Sequence, residues 1–358
     1  MGRLAYTNFD EFADSICGVA GRFVPTARSA AEWWIHVVRV RQLELQQLQI
    51  GGATAFAGDG TPGMLTFGLP ISHPQAIHID GHSLSADSFI LLQREQPFTY
   101  SARQVVRWAG VTVPLDHVCM DDELCDAAQH GALTRGDVRV HTQPRQLLRL
   151  RSLVARVCID DRSVNVADGA AAAAAEEDVL SAAFRVLELS MRADDRHVGR
   201  KQLPRARVIA RCLDLMEASD GQPLLLADLC RAAQVSERTL RNVFREYFGV
   251  GPIRLLKVRQ LREIRIALLT ADPAQETVTK IAARFGVWDL SLFARNYKSL
   301  YGETPSDTLH QRSRSRHLPD VERHTYHDGF TPTWIGHASR RFGSVTGQHR
   351  YAAEEASL

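Results

Sequence analysis

The pattern of apolar and polar positions predicts a β-rich region in the first third of the chain. From about Trp33 to Val118, short runs such as Ser88–Leu92 and Trp108–Val113 are separated by turns rich in Gly and Asp. A series of short, regularly interrupted runs favours a compact all-β sandwich or barrel. A short helix is predicted before it, between Thr7 and Val19.

The pattern becomes helical after Pro114. Residues Gln143–Val157 and Glu176–Met191 carry apolar side chains three and four positions apart, and the run Ala170–Ala175 favours a helix. The apolar faces of these helices need a partner. Packing onto the β region and a dimer interface satisfy that need equally well.

An internal repeat follows a further helix predicted at Arg205–Ser219. The segments Leu229–Val235 and Ile281–Val287 resemble each other, and each leads into a helix with an aromatic residue every fourth position, then Gly and Pro. Each copy therefore predicts two short helices joined by a tight turn, which is a helix-turn-helix unit.

The turn and cap residues of the repeat support this interpretation. The turn favours glycine because its backbone is left-handed; Gly286 fits, whereas Gln234 departs from the pattern at an energetic cost. Ser236 and Asp289 are predicted to cap the second helix of each unit. These second helices are amphipathic, with Leu240 as one of the residues on the buried face.

The exposed faces of these second helices carry the residue types that read DNA. An α-helix fits the major groove, where Arg and Asn side chains bond to guanine and adenine edges. The predicted DNA-facing residues are Ser236, Arg238, Arg241, Asn242 and Arg245 in the first unit, and Leu290, Ser291, Ala294 and Arg295 in the second. Because the second set is less polar, we expect more discrimination between sequences from the first.

A long helix, Pro252–Leu269, is predicted to join the two units. It would fix their separation, and roughly 34 Å would place both in successive major grooves. Its predicted apolar face consists of Ile253, Leu256, Leu261, Ile264 and Leu268. Basic residues of the helix, among them Arg259 and Arg265, are expected to neutralise phosphate. The assigned phosphate contacts are Arg254, Lys257, Arg262 and Lys298.

Charge supports a polyanion-binding module. The 358 residues have a net charge of +2, yet Arg200–Arg316 contains 21 basic and 12 acidic residues, so the remainder is acidic. Such asymmetry favours nucleic acid as the partner of the basic segment, with a membrane surface as the competing partner. The acidic remainder is expected to stay off the DNA.

Other features argue against a metal site, a membrane protein or a catalytic site. The six cysteines are scattered without zinc-ligand spacing, and His78, Asp80 and His82 lack the tight His-x-His of metal-binding β-barrels. Asp10 and Glu11 interrupt any signal peptide, and no apolar run reaches transmembrane length. We therefore expect a cytoplasmic protein with no catalytic residues, cofactor or metal ion.

The basic segment resembles a known family. Residues Arg205–Leu309, with the motifs Ala232–Leu240, Val258–Arg262 and Ile281–Gly286, look like the DNA-binding domain of AraC/XylS-type transcription regulators. The resemblance implies a bacterial transcription factor with two recognition helices in adjacent major grooves. Gln234 and Trp288 depart from the family pattern.

The N-terminal region is similar only in layout to the cupin-like sensor domains of that family. The resemblance implies that it binds an effector or a partner. The residues proposed for an effector pocket are Trp33, Trp34, Arg39, Phe67 and Trp108. The alternative is that the aromatic side chains form the core and that Arg39 lies on the outer face, as does Arg41.

The sequence thus predicts an α+β protein. The expected parts are a cupin-like β-barrel or sandwich at 1–130, a helical linker and candidate dimerisation segment at 131–199, an all-α domain with two helix-turn-helix units (about 224–249 and 277–302) at 200–311, and a basic, poorly ordered tail at 312–358. The expected function is transcription regulation at promoter DNA. A small-molecule effector, RNA polymerase and a second copy are further candidate partners. The alternatives are an enzyme targeted to DNA and a structural DNA binder with a partner-binding N-terminal domain.

Overall fold

The computed structural model describes residues 3–6, 9–93, 97–118, 138–159, 169–193, 203–219 and 223–315. The predictions for Cys119 and Cys125, and for the tail beyond residue 315, lie outside the described residues. The predicted N-terminal helix is present as α1, Phe9–Asp14.

Two antiparallel sheets form the N-terminal region, as the sequence predicts. The larger has the order β1-β3-β4-β11-β6-β9-β12, with β1 (Leu4–Tyr6), β3 (Trp33–Val40), β4 (Leu43–Ile50), β6 (Met64–Pro70), β9 (Ser88–Gln93), β11 (Val106–Pro114) and β12 (Arg139–His141). The smaller has the order β2-β5-β10-β7-β8, with β2 (Val19–Pro25), β5 (Thr54–Gly60), β7 (Ile77–Ile79), β8 (His82–Ser83) and β10 (Pro97–Ala102). Side chains alternate between the two faces of each strand, so each sheet has an inner and an outer face.

Aromatic side chains fill the space between the two sheets. Phe23 and Phe56 of the smaller sheet lie with ring centroids 4.6 Å apart, and Tyr100 is 6.0 Å from Trp108 of the larger sheet. Trp33 completes this cluster and is almost fully buried. The sandwich interior is thus a packed core.

Two helices cover the outer face of the larger sheet. They are α3 (Pro144–Ile159) and α4 (Ala170–Ala193), which follow the four-residue helix α2 (Leu115–Val118). Leu147 and Val186 of these helices share one buried cluster with Phe67 of the sheet. The apolar faces of the helices therefore pack onto the β region, which was one of the two alternatives that the sequence allowed.

The predicted helical linker also contains a strand. Arg139–His141 pairs antiparallel with Ser88–Ile90 and extends the larger sheet by one strand. Thr142 then donates its hydroxyl to the carbonyl oxygen of Val186, 3.0 Å away. Three residues are too few to show an alternating pattern, so this strand could not be predicted from local periodicity. Structurally, residues 138–159 and 169–193 pack with the β region.

The C-terminal region is all helical, as predicted. Its helices are α5 (Leu203–Ala218), α6 (Leu226–Ala233), α7 (Glu237–Phe248), α8 (Pro252–Thr270), α9 (Val278–Arg284), α10 (Leu290–Tyr301) and α11 (Pro305–Ser315). They form two buried clusters, one around α5, α6 and α7 and the other around α9 and α10, and α8 contributes to both. Across the described chain, no helix has the length and apolar character needed to cross a membrane.

The connecting helix α8 differs from its predicted packing at one end. Leu261, Ile264 and Leu268 are buried as expected, but Ile253 is 55% exposed. Leu255 instead belongs to the buried cluster of the first unit, which also includes Ala55 of β5.

Candidate nucleic-acid interface

The two helix-turn-helix turns use different residues for the same backbone shape. Gln234 ends α6 in the left-handed conformation, with φ 56° and ψ 42°. Gly286 has φ 72° in the second unit. The side-chain oxygen of Gln234 accepts a hydrogen bond of 3.1 Å from the Arg211 guanidinium. The left-handed turn is thus present in both units, although only the second has glycine there.

Side-chain caps begin both recognition helices, α7 and α10, as predicted. The Ser236 hydroxyl accepts from the Thr239 amide at 3.3 Å, and the Asp289 carboxylate accepts from the Leu292 amide at 2.9 Å. Each cap satisfies an amide that has no partner within its helix. The caps fix where each recognition helix starts, and therefore which side chains face outward.

The outer face of α7 is basic. Leu240, Phe244 and Phe248 are buried, whereas Arg238, Asn242 and Arg245 are exposed. Arg241 is exposed too, and its guanidinium forms an ion pair with the Glu237 carboxylate one turn earlier. An exposed pair of this kind contributes little to stability, so a stronger acceptor can replace the carboxylate.

The outer face of α10 is less polar. Phe293 and Tyr297 are buried, while Ser291 and Arg295 are exposed and Leu290 is just over one-third exposed. Ala294 is half-buried. The side chains predicted to face outward therefore do so, and their individual contacts with bases stay a prediction.

Trp288 is a surface residue that sequence reasoning did not assign to the interface. It lies one residue before the Asp289 cap and is 83% exposed. A large, exposed aromatic side chain beside a recognition helix can stack on a sugar or base. The signal was its departure from the family pattern at this position.

The four basic residues predicted to contact phosphate have different surroundings in the structure. The Arg254 guanidinium donates twice to the carbonyl oxygen of Thr26, at 2.7 and 3.1 Å. Lys257 donates to the Gln260 side chain at 3.1 Å, and Lys298 is exposed. Arg262 is only 8% exposed. Its guanidinium lies 3.0 Å from the Glu263 carboxylate, so its assignment as a phosphate contact needs correction.

Two further basic residues of α8 also have internal partners. Arg259 donates to the carbonyl oxygen of Met216 at 2.6 Å. Arg265 lies 2.5 Å from the Glu303 carboxylate and 3.2 Å from the Tyr297 hydroxyl. Both guanidinium groups are held by partners inside the protein, which argues against the expectation that they neutralise phosphate.

A groove of about 590 Å³ lies between the two units, beside α8. Its charged lining residues in the described chain are basic: Arg28, Arg241, Arg245, Arg254 and Lys257. Arg28 belongs to the loop after β2, in the N-terminal region, and sequence reasoning missed it. Clustered basic side chains of this kind attract a phosphate backbone.

The N-terminal region packs directly against this domain. The turn at Gly81, with φ 81°, approaches Glu246 and Tyr247 so closely that a Cβ atom there would lie 3.1 Å from both side chains. Ala55 belongs to the buried cluster of the first unit. Val24 of β2 packs against the clusters of both units.

The predicted effector residues do not line one pocket. Trp33 and Trp108 lie in the sandwich core, whereas Phe67 lies in the cluster on the other side of the larger sheet. The Arg3 guanidinium lies over the Trp34 ring, 4.3 Å from the ring centroid. Arg39 forms an exposed ion pair with Glu44. The core alternative therefore describes these residues better.

The His78, Asp80 and His82 region is organised around the carboxylate. Asp80 accepts hydrogen bonds from the amide and the hydroxyl of Thr99, at 2.8 and 3.0 Å. Burial, and then the nearby Arg103 charge, lowers the pKa of His78. Within the described ranges, no three His, Cys, Asp or Glu side chains are grouped so that they could hold a metal ion.

Comparisons with known proteins agree on the C-terminal region. Residues 229–311 match a family model described as a helix-turn-helix domain. The chain is 39% identical over 102 residues to the probable thc operon regulatory protein of Rhodococcus erythropolis. The aligned region covers 28% of this chain and 31% of that protein. It is 35% identical over 101 residues to the XylDLEGF operon transcriptional activator of Pseudomonas putida, covering 28% and 32%. The chain thus spans about a third of the length of these curated relatives.

A solved structure gives a similar match. A probable AraC family transcriptional regulator from Rhodopseudomonas palustris is 30% identical, and the match covers 30% of this chain and 96% of that one with a TM-score of 0.27.

Proposed function

We propose that this protein is a sequence-specific DNA-binding regulator of transcription of the AraC/XylS type, because residues 229–311 match a helix-turn-helix family model and the relatives that resemble this region are operon regulators. The observation that carries the proposal is the pair of capped recognition helices, α7 and α10, whose outer faces are exposed and whose inner faces are buried on either side of α8. Promoter DNA is the proposed partner. The relatives are operon regulators, which favours this function over the enzyme and the structural DNA binder.

In this proposal, base recognition comes first from α7. Arg238 and Arg241 would bond to guanine O6 and N7 as bidentate donors, and Asn242 to adenine N6 and N7. Arg241 would exchange the Glu237 carboxylate for the base edge. In α10, Arg295 would reach a guanine, whereas Leu290 would pack against a thymine methyl group.

Phosphate contacts would come from the edges of the same surface. Lys257, Lys298 and Arg28 are the basic residues that we assign to this role, since Arg254 donates to the Thr26 carbonyl oxygen across the domain interface and Arg262 is buried. These contacts add affinity without distinguishing sequences. RNA polymerase, a small-molecule effector and a second copy of the chain belong to the same proposal as further partners. An effector would act by favouring one of two arrangements, which requires a different affinity for each.

The experiment starts from the preferred site, identified by selecting bound sequences from a random DNA pool with the full chain. Arg241→Ala should then weaken binding at that site by about 1–3 kcal/mol and relax the preference at one base pair. Lys298→Ala is the matched control on the other recognition helix. It should weaken binding to all sequences alike and reduce the salt dependence by about one counterion. An equal loss for Arg241→Ala on selected and random DNA would contradict base reading by this residue.

A further inference from the structure

A second cleft, of about 610 Å³, lies where the smaller sheet meets the helical domain. One wall is the outer face of β2, β5 and β10, and the other is formed by α5, the end of α7 and the start of α8. This volume lies in the range of sites that hold small organic ligands. None of the aromatic residues proposed from the sequence lines it.

The walls of this interdomain cleft are largely apolar. Val24 and Ala55 contribute from the sheet, and Leu213, Phe248 and Leu255 contribute from the helices. Because α7 and α8 both reach the cleft, an occupant would contact the first recognition helix and the connecting helix together with the β region. A ligand here therefore has a direct physical route to the arrangement of the DNA-binding surface.

Most charged groups that line the cleft already have partners. Arg262 lies 3.0 Å from the Glu263 carboxylate, and Arg22 is 3.8 Å from the same carboxylate. Arg259 bonds to the Met216 carbonyl, and Asp80 bonds to Thr99. Arg262 and Arg22 are thus engaged with Glu263, whereas Arg259 keeps its charge and is held at the Met216 carbonyl, with Glu263 as the nearby acid.

Two carboxylates of the cleft differ from the partnered charged groups above. Asp214 and Glu217 lie three positions apart on α5 and both line the cleft. Within the described chain, neither accepts a hydrogen bond or forms an ion pair. Burial raises the pKa of Asp214. Burial, and then the charge of Asp214, raises the pKa of Glu217; Asp59 adds to the rise, while Arg22 opposes it. Arg22 therefore offsets the negative charge on this wall only in part, and a bound cation would supply further compensation.

We propose that the interdomain cleft binds an organic cation that consists of a protonated amine on an apolar body. The ammonium group would lie between Asp214 and Glu217, and the body would pack against the apolar wall around Leu213 and Leu255. The chemical class follows from the cleft's volume, its apolar lining and the position of these two carboxylates. Binding itself does not depend on the proposed function; only the consequence for DNA affinity does.

The test uses octylamine as the probe, with octanol and octanoate as neutral and anionic analogues of the same chain length. Octylamine should raise the melting temperature of the full chain more than either analogue at equal concentration, since a ligand of the folded state stabilises it. In the double variant Asp214→Asn, Glu217→Gln, the affinity for octylamine should fall by about tenfold or more. The variant should fold, because it removes charge that the folded state disfavours.

Glu177→Gln is the matched control, since it removes an exposed carboxylate of α4 far from the cleft. It should leave octylamine affinity unchanged. Equal stabilisation by octanol would overturn the proposal, as would stronger stabilisation by octanoate or an unchanged affinity in the double variant. Binding to the selected DNA site is measured on the same preparations. Loss of DNA binding with retained octylamine binding would contradict the proposed function and leave the cation site standing.

Discussion

At the scale of single residues, Gln234 occupies a backbone conformation that favours glycine. Its φ of 56° brings Cβ close to the neighbouring carbonyl oxygen, whereas Gly286 adopts the equivalent shape in the second unit without that contact. The hydrogen bond from Arg211 offsets part of the cost but lies on the exposed surface. The first turn is therefore held in place by its surroundings.

We expect Gln234→Gly to stabilise the protein. Relief of the left-handed strain, about 1–2 kcal/mol, exceeds the added entropy of glycine in the unfolded chain, about 0.5–1 kcal/mol, so the free energy of unfolding should rise by roughly 0.5–1 kcal/mol. Urea denaturation measures the difference. Gln234→Ala is the control, because it keeps the strain and loses the contact with Arg211. If Gln234→Ala stabilises as much as Gln234→Gly, strain is not the cause.

Local sequence patterns were sufficient to predict the roles of some residues but not of others. The Ser236 and Asp289 caps could be predicted because each bonds to an amide three residues away. Arg265 could not be assigned, because its partners Tyr297 and Glu303 lie 32 and 38 residues further along the chain. A basic residue on a helix gives the same local pattern whether it faces solvent or an internal acid.

At the scale of elements, helix α8 packs against helices of the second unit as well as joining the two units. Arg265 lies in its second half, with its guanidinium 4.5 Å from the Tyr301 ring centroid and bonded to Glu303. These contacts join α8 to the end of α10 and to the loop after it. Thr308 of α11 bonds to the same carboxylate, at 2.7 Å, so three helices meet at one partly buried network.

Arg265→Ala should therefore lower stability without changing how DNA is bound. Removing the guanidinium leaves the Glu303 carboxylate without its cation, and we expect the free energy of unfolding to fall by about 2 kcal/mol. Chemical denaturation measures the loss, and titration at several salt concentrations measures the number of phosphate contacts.

Arg295→Ala provides the comparison, because Arg295 is an exposed arginine on the outer face of α10. Its replacement should change DNA affinity and leave the free energy of unfolding nearly unchanged. If Arg265→Ala reduced the salt dependence of DNA binding at unchanged stability, Arg265 would be a phosphate contact after all.

Element boundaries followed closely from the sequence where the periodic pattern was long. The helices α3, α4 and α8 begin and end within a few residues of the predicted limits, except that α4 begins earlier, at the alanine run. The short strand β12 escaped because its signal comes from pairing with Ser88–Ile90, about fifty residues earlier. Pairing across such a distance leaves no periodic trace in one sequence.

At the scale of the whole molecule, the β region and the DNA-binding domain share an interface. Arg254 of α8 donates twice to the carbonyl oxygen of Thr26 in the loop after β2. The sequence offered no means of predicting this contact, since the two residues are 228 positions apart. The interface contains the interdomain cleft and also one edge of the basic groove.

We expect Arg254→Ala to loosen this interface. Loss of a charge-assisted pair of hydrogen bonds at a partly exposed site should weaken the interdomain contact by roughly 1–2 kcal/mol. Hydrogen–deuterium exchange of the full chain should show faster exchange in β2 and in the first turns of α8. Lys257→Ala, one turn further along, is the control, because Lys257 bonds within its own helix. Equal acceleration in both variants would show that the Thr26 contact is not what holds the domains together.

The packing of Val24 between the two units constrains which DNA the protein can bind without deforming it. This one side chain packs against the cores of both helix-turn-helix units, and α8 runs uninterrupted between them. The two proposed recognition helices are therefore held at a fixed separation. When the spacing of two half-sites on the DNA does not match that separation, the duplex must bend or twist. The free-energy cost of this deformation depends on how flexible the intervening base steps are. Base pairs that no side chain touches would thus help to decide which promoters are occupied.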